Sequence, residues 1–203
     1  MTDNSDKKKF TEIPPDEPTN YKLKFNDDKT FSITSHDFFL SGFLTDTKDT
    51  GVDFSTEPLP IGEFSSVAFE IIRKIIDTIK AKDPKLYLQF LNGEKARGEM
   101  KSEYLEIFRD RQPPNIIEAA NLSAYMSMDL PKRVLVWGIA DYIRNDTHSI
   151  DDITKFLGAT PLDKETCLAH GLDESDNIWD VHPDQFKKIF GKDYVKQSSS
   201  TSS

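Results

Sequence analysis

A single cysteine, Cys167, stands in 203 residues, so no intrachain disulfide can form, and a reducing compartment, cytosolic or nuclear, is the expectation. Long apolar runs are equally scarce. No uncharged stretch approaches the ~20 residues that cross a bilayer, and the opening MTDNSDKKKFTEIPPDEPTN holds no apolar segment of signal-peptide length. Positive charge is in deficit too. Thirty-five acidic residues face 26 basic ones, for a formal net charge of −9; tracking nucleic-acid phosphates needs a concentrated basic face, and only KKK at residues 7–9 forms a basic run. The four histidines, His36, His148, His170 and His182, lack metal-ligand spacing and read as surface or core side chains. There is no glycine-rich phosphate loop, no G-x-S-x-G elbow and no kinase signature. Cys167 reads as a packed or half-exposed thiol, and the pairs Asp27-Asp28 and Asp151-Asp152 fall where turns and caps already explain them. The expectation is a protein that is not an enzyme, with no cofactor and no metal, and with neither nucleic acid nor membrane as partner.

What is present is patterned apolar sequence. YKLKF and TFSIT alternate with period two on either side of the turn-prone NDDK, which predicts a β-hairpin. SHDFFLSGFL changes to a helical rhythm with Ser35 as candidate cap, and a polar loop from Thr45 leads to the extended PLPIGEF. In SSVAFEIIRKIIDTIKAK, Phe69, Ile72, Ile76 and Ile79 recur at helical spacing, and Ile71 and Ile75 widen the stripe until it needs contact on more than one side. Asp83-Pro84 ends that helix, and the following KLYLQFLNGEKARGEMK reads as a connector. SEYLEIFRD offers one or two helical turns. IIEAANLSAY then predicts a helix with Ile116, Ala120 and Ala124 on one line, followed by a second helix capped by Asp129 with Pro131 in its first turn.

Beyond Asn145, SIDD and TPLD are spaced like capping boxes, Gly171 reads as a helix stop, and PDQFKKIF suggests a last short helix. Strands first and helices afterwards give an α+β fold: residues 1–20 a disordered tail, 21–145 the main domain, 146–191 a helical extension, and 192–203 a serine-rich disordered tail. The extension carries many large apolar side chains on short helices, which are marginal alone.

In their order, FNDDKTFSI, PLPIGEFSSVAFEIIRKIIDTIKAKD, SEYLEI, IIEAANL, SIDDITKFLG and DNIWD resemble the Skp adaptor family, the BTB/POZ-fold linkers between cullins and F-box proteins in SCF ubiquitin ligases. The resemblance spans residues 22–179. It implies a BTB/POZ-like small sheet flanked by helices, with a C-terminal helical extension that embraces an F-box. It also implies a non-catalytic role in ubiquitin-dependent degradation: two interfaces on one body, setting a substrate receptor at a fixed distance from a cullin. Carried over, the F-box face comprises Ile153, Phe156, Leu157 and Trp179, and the cullin face comprises the outward edge at Asn121 and Leu122. The chain departs from the family where Leu122-Ser123-Ala124-Tyr125 replaces the tyrosine that usually follows Ala-Ala-Asn, leaving Tyr125 as the nearby aromatic. Gly171 interrupts the charged helix expected there, and Phe186, Ile189 and Phe190 lie in a segment beyond the family pattern. An alternative from another class is a self-associating BTB/POZ scaffold, a homodimer that has lost cullin binding.

Overall fold

The computed structural model describes residues 9–94, 101, 104, 113–145, 156, 184 and 187. The chain divides into two compact units, Met1–Asp141 and Tyr142–Ser203.

Period-two alternation builds the sheet. β1 (Pro18–Phe25) turns the side chains of Leu23 and Phe25 inward and those of Lys22 and Lys24 to solvent. It pairs antiparallel with β2 (Thr30–Thr34), with Leu23 opposite Phe31 and Lys24 opposite Thr30. The turn between them closes where the Asp28 N–H donates to the Phe25 carbonyl at 3.0 Å, and Asp28 takes φ 61°. Aspartate tolerates that left-handed conformation better than most residues. β3 (Leu59–Ile61) joins the other edge of β1 in parallel, giving the order β2-β1-β3. Three strands still need helices to cover their apolar face.

Two short helices, not one, follow β2. In α1 (Ser35–Leu40) the cap is Thr34 rather than Ser35: the Asp37 N–H donates to Thr34 Oγ1, and the Thr34 N–H donates to the Asp37 carboxylate at 2.8 Å. Ser41 breaks the helical path and caps α2 (Gly42–Asp49), which takes in the start of the expected polar loop. α3 (Ser66–Lys82) buries Phe69, Ile71, Ile72, Ile75, Ile76 and Ile79, and its wide stripe packs against neighbouring helices on two sides, described below. Phe69 also meets the sheet, with ring centroids 5.3 Å from Phe25 and 5.6 Å from Phe31.

The expected connector after Asp83 begins as a helix. α4 (Pro84–Leu91) has Pro84 in its first turn and is capped by Asp83, whose carboxylate accepts the Leu86 N–H at 3.1 Å. Its buried Leu86, Tyr87, Phe90 and Leu91 lie along one face against α3 and α1. Asp83 further accepts Lys101 Nζ at 2.8 Å and the Tyr104 hydroxyl at 3.1 Å. Of the turns expected at 102–110, only Tyr104 is described; it is buried.

α5 (Pro113–Tyr125) packs against α3, and α6 (Asp129–Asn145) follows after a three-residue turn. Asp129 lies inside the first turn of α6 rather than ahead of it, and its carboxylate accepts Lys132 Nζ at 2.8 Å. Val134 is buried and Trp137 half-buried on this helix.

The first twenty residues are not a loose tail throughout. From Lys9 the chain is described, and Phe10 and Ile13 pack on the core. The Asn92 side chain binds the Phe10 backbone twice, accepting its N–H at 2.8 Å and donating to its carbonyl at 3.0 Å. Two apolar residues in a polar segment are too few to make a pattern in the sequence, and the partner is 82 residues away.

Within Tyr142–Ser203 the rings of Tyr142 and Phe156 stack at 4.3 Å. Asp184 and Lys187, in the expected helix at 183–190, are helical and exposed. The two capping-box starts, Cys167, His148, His170, His182 and residues 192–203 lie outside the described residues.

Candidate interaction surface

α5 is built for close packing. Its prolines occupy the first turn, where no N–H is needed. The inward line is Ile116, Ala119, Leu122, Ser123 and Met126, all buried, rather than Ile116, Ala120 and Ala124; Ala120 is half-buried and Ala124 exposed. Small Ala119 and Ser123 let the backbone approach α3. The Ser123 hydroxyl is satisfied within the helix, donating to the Ala119 carbonyl at 2.8 Å.

This phase corrects the expected outward edge. Leu122 is 0% exposed and belongs to the core, so its side chain does not face a partner. Asn121, Ala124 and Tyr125 are exposed and form the edge instead. Tyr125 is 50% exposed, with its ring 5.0 Å from Phe43 on α2 and 5.5 Å from Phe64 ahead of α3. Three elements thus bring half-open aromatic rings together beside Asn121. Residue spacing alone could not assemble them, because Phe43, Phe64 and Tyr125 are distant in sequence.

Polar contacts fix this edge from beneath. α3 has no side-chain cap of its own from Ser65. Instead Glu118 of α5 accepts the Ser65 N–H at 2.6 Å and its hydroxyl at 2.7 Å. Asp27 of the hairpin turn accepts the Ser66 hydroxyl at 2.6 Å. The Ser66 hydroxyl's hydrogen bond holds the Asp27 carboxyl below its usual range. Two carboxylates therefore sit at the positive end of α3, where the helix dipole favours them, and tie hairpin, α3 and α5 together.

α5 ends in a left-handed residue, Ser127, at φ 52°. The Met128 N–H returns to the Ser123 carbonyl and the Ser127 N–H to the Ala124 carbonyl, the two bonds of a Schellman stop, with serine in the place glycine usually takes. The freed carbonyls are used. Met126 O accepts the Ser41 hydroxyl at 2.7 Å and the Phe43 N–H at 3.3 Å, and Ser127 O accepts the Gly42 N–H at 3.4 Å. The C-terminus of α5 therefore meets the N-terminus of α2 head to tail. Gly42 eases this approach: a Cβ there would stand 3.1 Å from Ser127 Cβ, tight enough that Ser127 would have to give by a few tenths of an ångström.

Beside this junction lies a cleft of about 430 Å³ with Phe39, Leu40, Phe90 and Leu130 as its apolar lining and Asp129 and Arg133 among its polar groups. The Arg133 guanidinium lies 5.8 Å from the Phe90 ring.

Of the expected F-box face, Phe156 is described and buried at 3% exposure, while Ile153, Leu157 and Trp179 lie outside the described residues. Among the described residues no group of three or more histidine, cysteine or acidic side chains is placed to hold a metal ion, and no helix is long and apolar enough to cross a membrane. Compared with known proteins, the chain matches no family model and no curated protein.

Proposed function

We propose that this chain is a non-catalytic adaptor of the SCF type, joining an F-box substrate receptor to a cullin and so promoting ubiquitin-dependent degradation. The observation that carries the reading is the exposed α5 edge: Asn121 and Tyr125, with Phe43 and Phe64, stand open at the position where the resemblance puts the cullin contact. The edge is held by Glu118, Asp27 and the α2–α5 junction, so it keeps one shape, as a spacer between two partners must. The α+β body with a small sheet supports the reading at the coarser level. Because Leu122 is in the core, Tyr125 takes over the aromatic role in this proposal, and Asn121 keeps its own. The F-box face remains with Ile153, Leu157 and Trp179, whereas Phe156, buried and stacked on Tyr142, packs inward and does not face the partner. The cytoplasm or nucleus is the proposed location.

A self-associating scaffold without cullin contact is the second reading. It is favoured by the absence of an aromatic at position 122, where leucine fills the core. Gentle co-purification from the native cell separates the two. F-box proteins and a cullin accompany an adaptor; a stable dimer that recovers neither is the scaffold.

A further inference from the structure

Residues 9–17 form a strap held largely through its backbone. The strap bends at Thr11 and Glu12 as it passes α1 and α4, and side chains of the body read its backbone. Asn92 takes both the N–H and the carbonyl of Phe10, at 2.8 and 3.0 Å. His36 Nε2 meets the Pro14 carbonyl at 3.0 Å. A carbonyl can only accept, so Nε2 carries the proton, and Nδ1 accepts the Tyr87 hydroxyl at 2.8 Å. At the far end, the Glu17 N–H donates to Ser35 Oγ at 3.0 Å, and the Ser35 N–H donates to the Glu17 carbonyl at 2.8 Å. Two apolar side chains fill seats along the way: Phe10 lies edge-on to Phe39 at 5.1 Å, and Ile13 packs on the core. Asp16 accepts the His36 backbone N–H at 3.1 Å, in the first turn of α1.

Backbone bonds that ignore side-chain identity, joined to two apolar seats and one acidic position, are the means by which grooves recognise extended peptides. The groove wall is set in the core: Tyr87 and His36 are buried, at 0% and 2% exposure, on elements packed into it. The strap is less firmly held. Its anchors Phe10 and Ile13 are only half-buried, and segments with few buried apolar contacts open at lower free energy than the core.

We propose that this groove is a docking site for a linear segment of a partner protein, carrying a large apolar residue, an Ile-Pro pair three positions on, and an acid two positions after the proline. In this chain the strap Phe10–Ile13–Pro14–Asp16 occupies it as an internal competitor. A second copy is the less favourable source. Its own segment is tethered beside its own groove at an effective concentration in the ~mM range, so exchange between copies gains no contact and loses translational freedom. A partner segment gains wherever its side chains fill the Phe10 and Ile13 seats better than the half-buried originals.

The test uses a fluorescent synthetic peptide of residues 9–18, KFTEIPPDEP, titrated against the full chain. Phe10→Ala/Ile13→Ala weakens the strap and leaves the groove intact; that variant should bind the peptide saturably and at least about tenfold more tightly than the unaltered chain, where the tethered strap competes. Adding Asn92→Ala should then weaken the peptide at least about tenfold, in line with loss of two backbone hydrogen bonds. If the double variant lacks a cooperative unfolding transition, Phe10→Ala alone carries the same comparison. No saturable binding to the strap-weakened chain, or binding indifferent to Asn92, overturns the proposal. A concentration-dependent dimer of the unaltered chain in sedimentation, lost on Asn92→Ala, assigns the groove to a second copy and overturns the choice of partner.

Discussion

Leu122 inverts the role that its surroundings in sequence suggest, and His36 is a core histidine. Leu122 follows an exposed asparagine and stands where a surface aromatic was expected, yet it is fully enclosed. Enlarging it to tyrosine must push ring and hydroxyl into a packed core. Leu122→Tyr should therefore lose about 1–3 kcal/mol in urea unfolding, rather than gain affinity for a partner. His36 is 2% exposed, and burial lowers its pKa despite the nearby Asp16 and Asp37 carboxylates; Lys80 works in the same direction as burial. A lowered folded value means that, as pH falls below about 6.5, the unfolded chain takes up a proton before the folded one does. The stability this histidine contributes is thus complete above that range and is lost as pH falls through the folded value. Urea midpoints between pH 7.5 and pH 5 should drop for the unaltered chain, and part of that drop should vanish in His36→Gln. Equal slopes in the two proteins would mean the ring does not titrate in this window.

At the level of elements, legibility followed the number of apolar residues that repeat. The β1–β2 hairpin and α3 were readable because five and seventeen residues keep one period, and the structure adds only the parallel strand β3 and its register. α4 is hidden in the sequence for a local reason: Asp83-Pro84 reads as a stop, and it is equally a start. One aspartate closes α3 through its backbone N–H, bonded to the Ile79 carbonyl at 2.7 Å, and opens α4 through its side chain. The face Leu86, Tyr87, Phe90, Leu91 was there to be counted. The strap and the phase of α5 were not legible in the same sense. Asn92 holds Phe10 across 82 residues, and α5 is rotated by its close approach to α3, which places Ala119 and Ser123 inward. The shared cap is open to test. Its carboxyl is held below the usual range, chiefly by the hydrogen bond from Lys101. Asp83→Ala removes the acceptor for the Leu86 N–H and should cost about 1–2 kcal/mol, while Asp83→Asn keeps a side-chain acceptor and should cost less. Identical urea midpoints for both variants would show that the cap contributes nothing to α4.

For the whole molecule, the proposed adaptor role makes a stricter demand than either proposed interface alone. Its two contacts must be separable, since a receptor that altered the cullin face would make assembly depend on which receptor is bound. Tyr125 is anchored to Phe43 and Phe64, both within Met1–Asp141, whereas Trp179 belongs to Tyr142–Ser203. Substitutions at sites with no shared partners act additively. Tyr125→Ala should weaken cullin binding by more than about 1 kcal/mol and leave the F-box complex unchanged, because a half-exposed aromatic at a contact is the usual carrier of such energy. Trp179→Ala should do the reverse. In calorimetric titrations with each partner, the double variant should show each loss undiminished. A Trp179 change that also weakens the cullin would mean the two units act as one surface, and the adaptor reading would have to give way to a single composite interface.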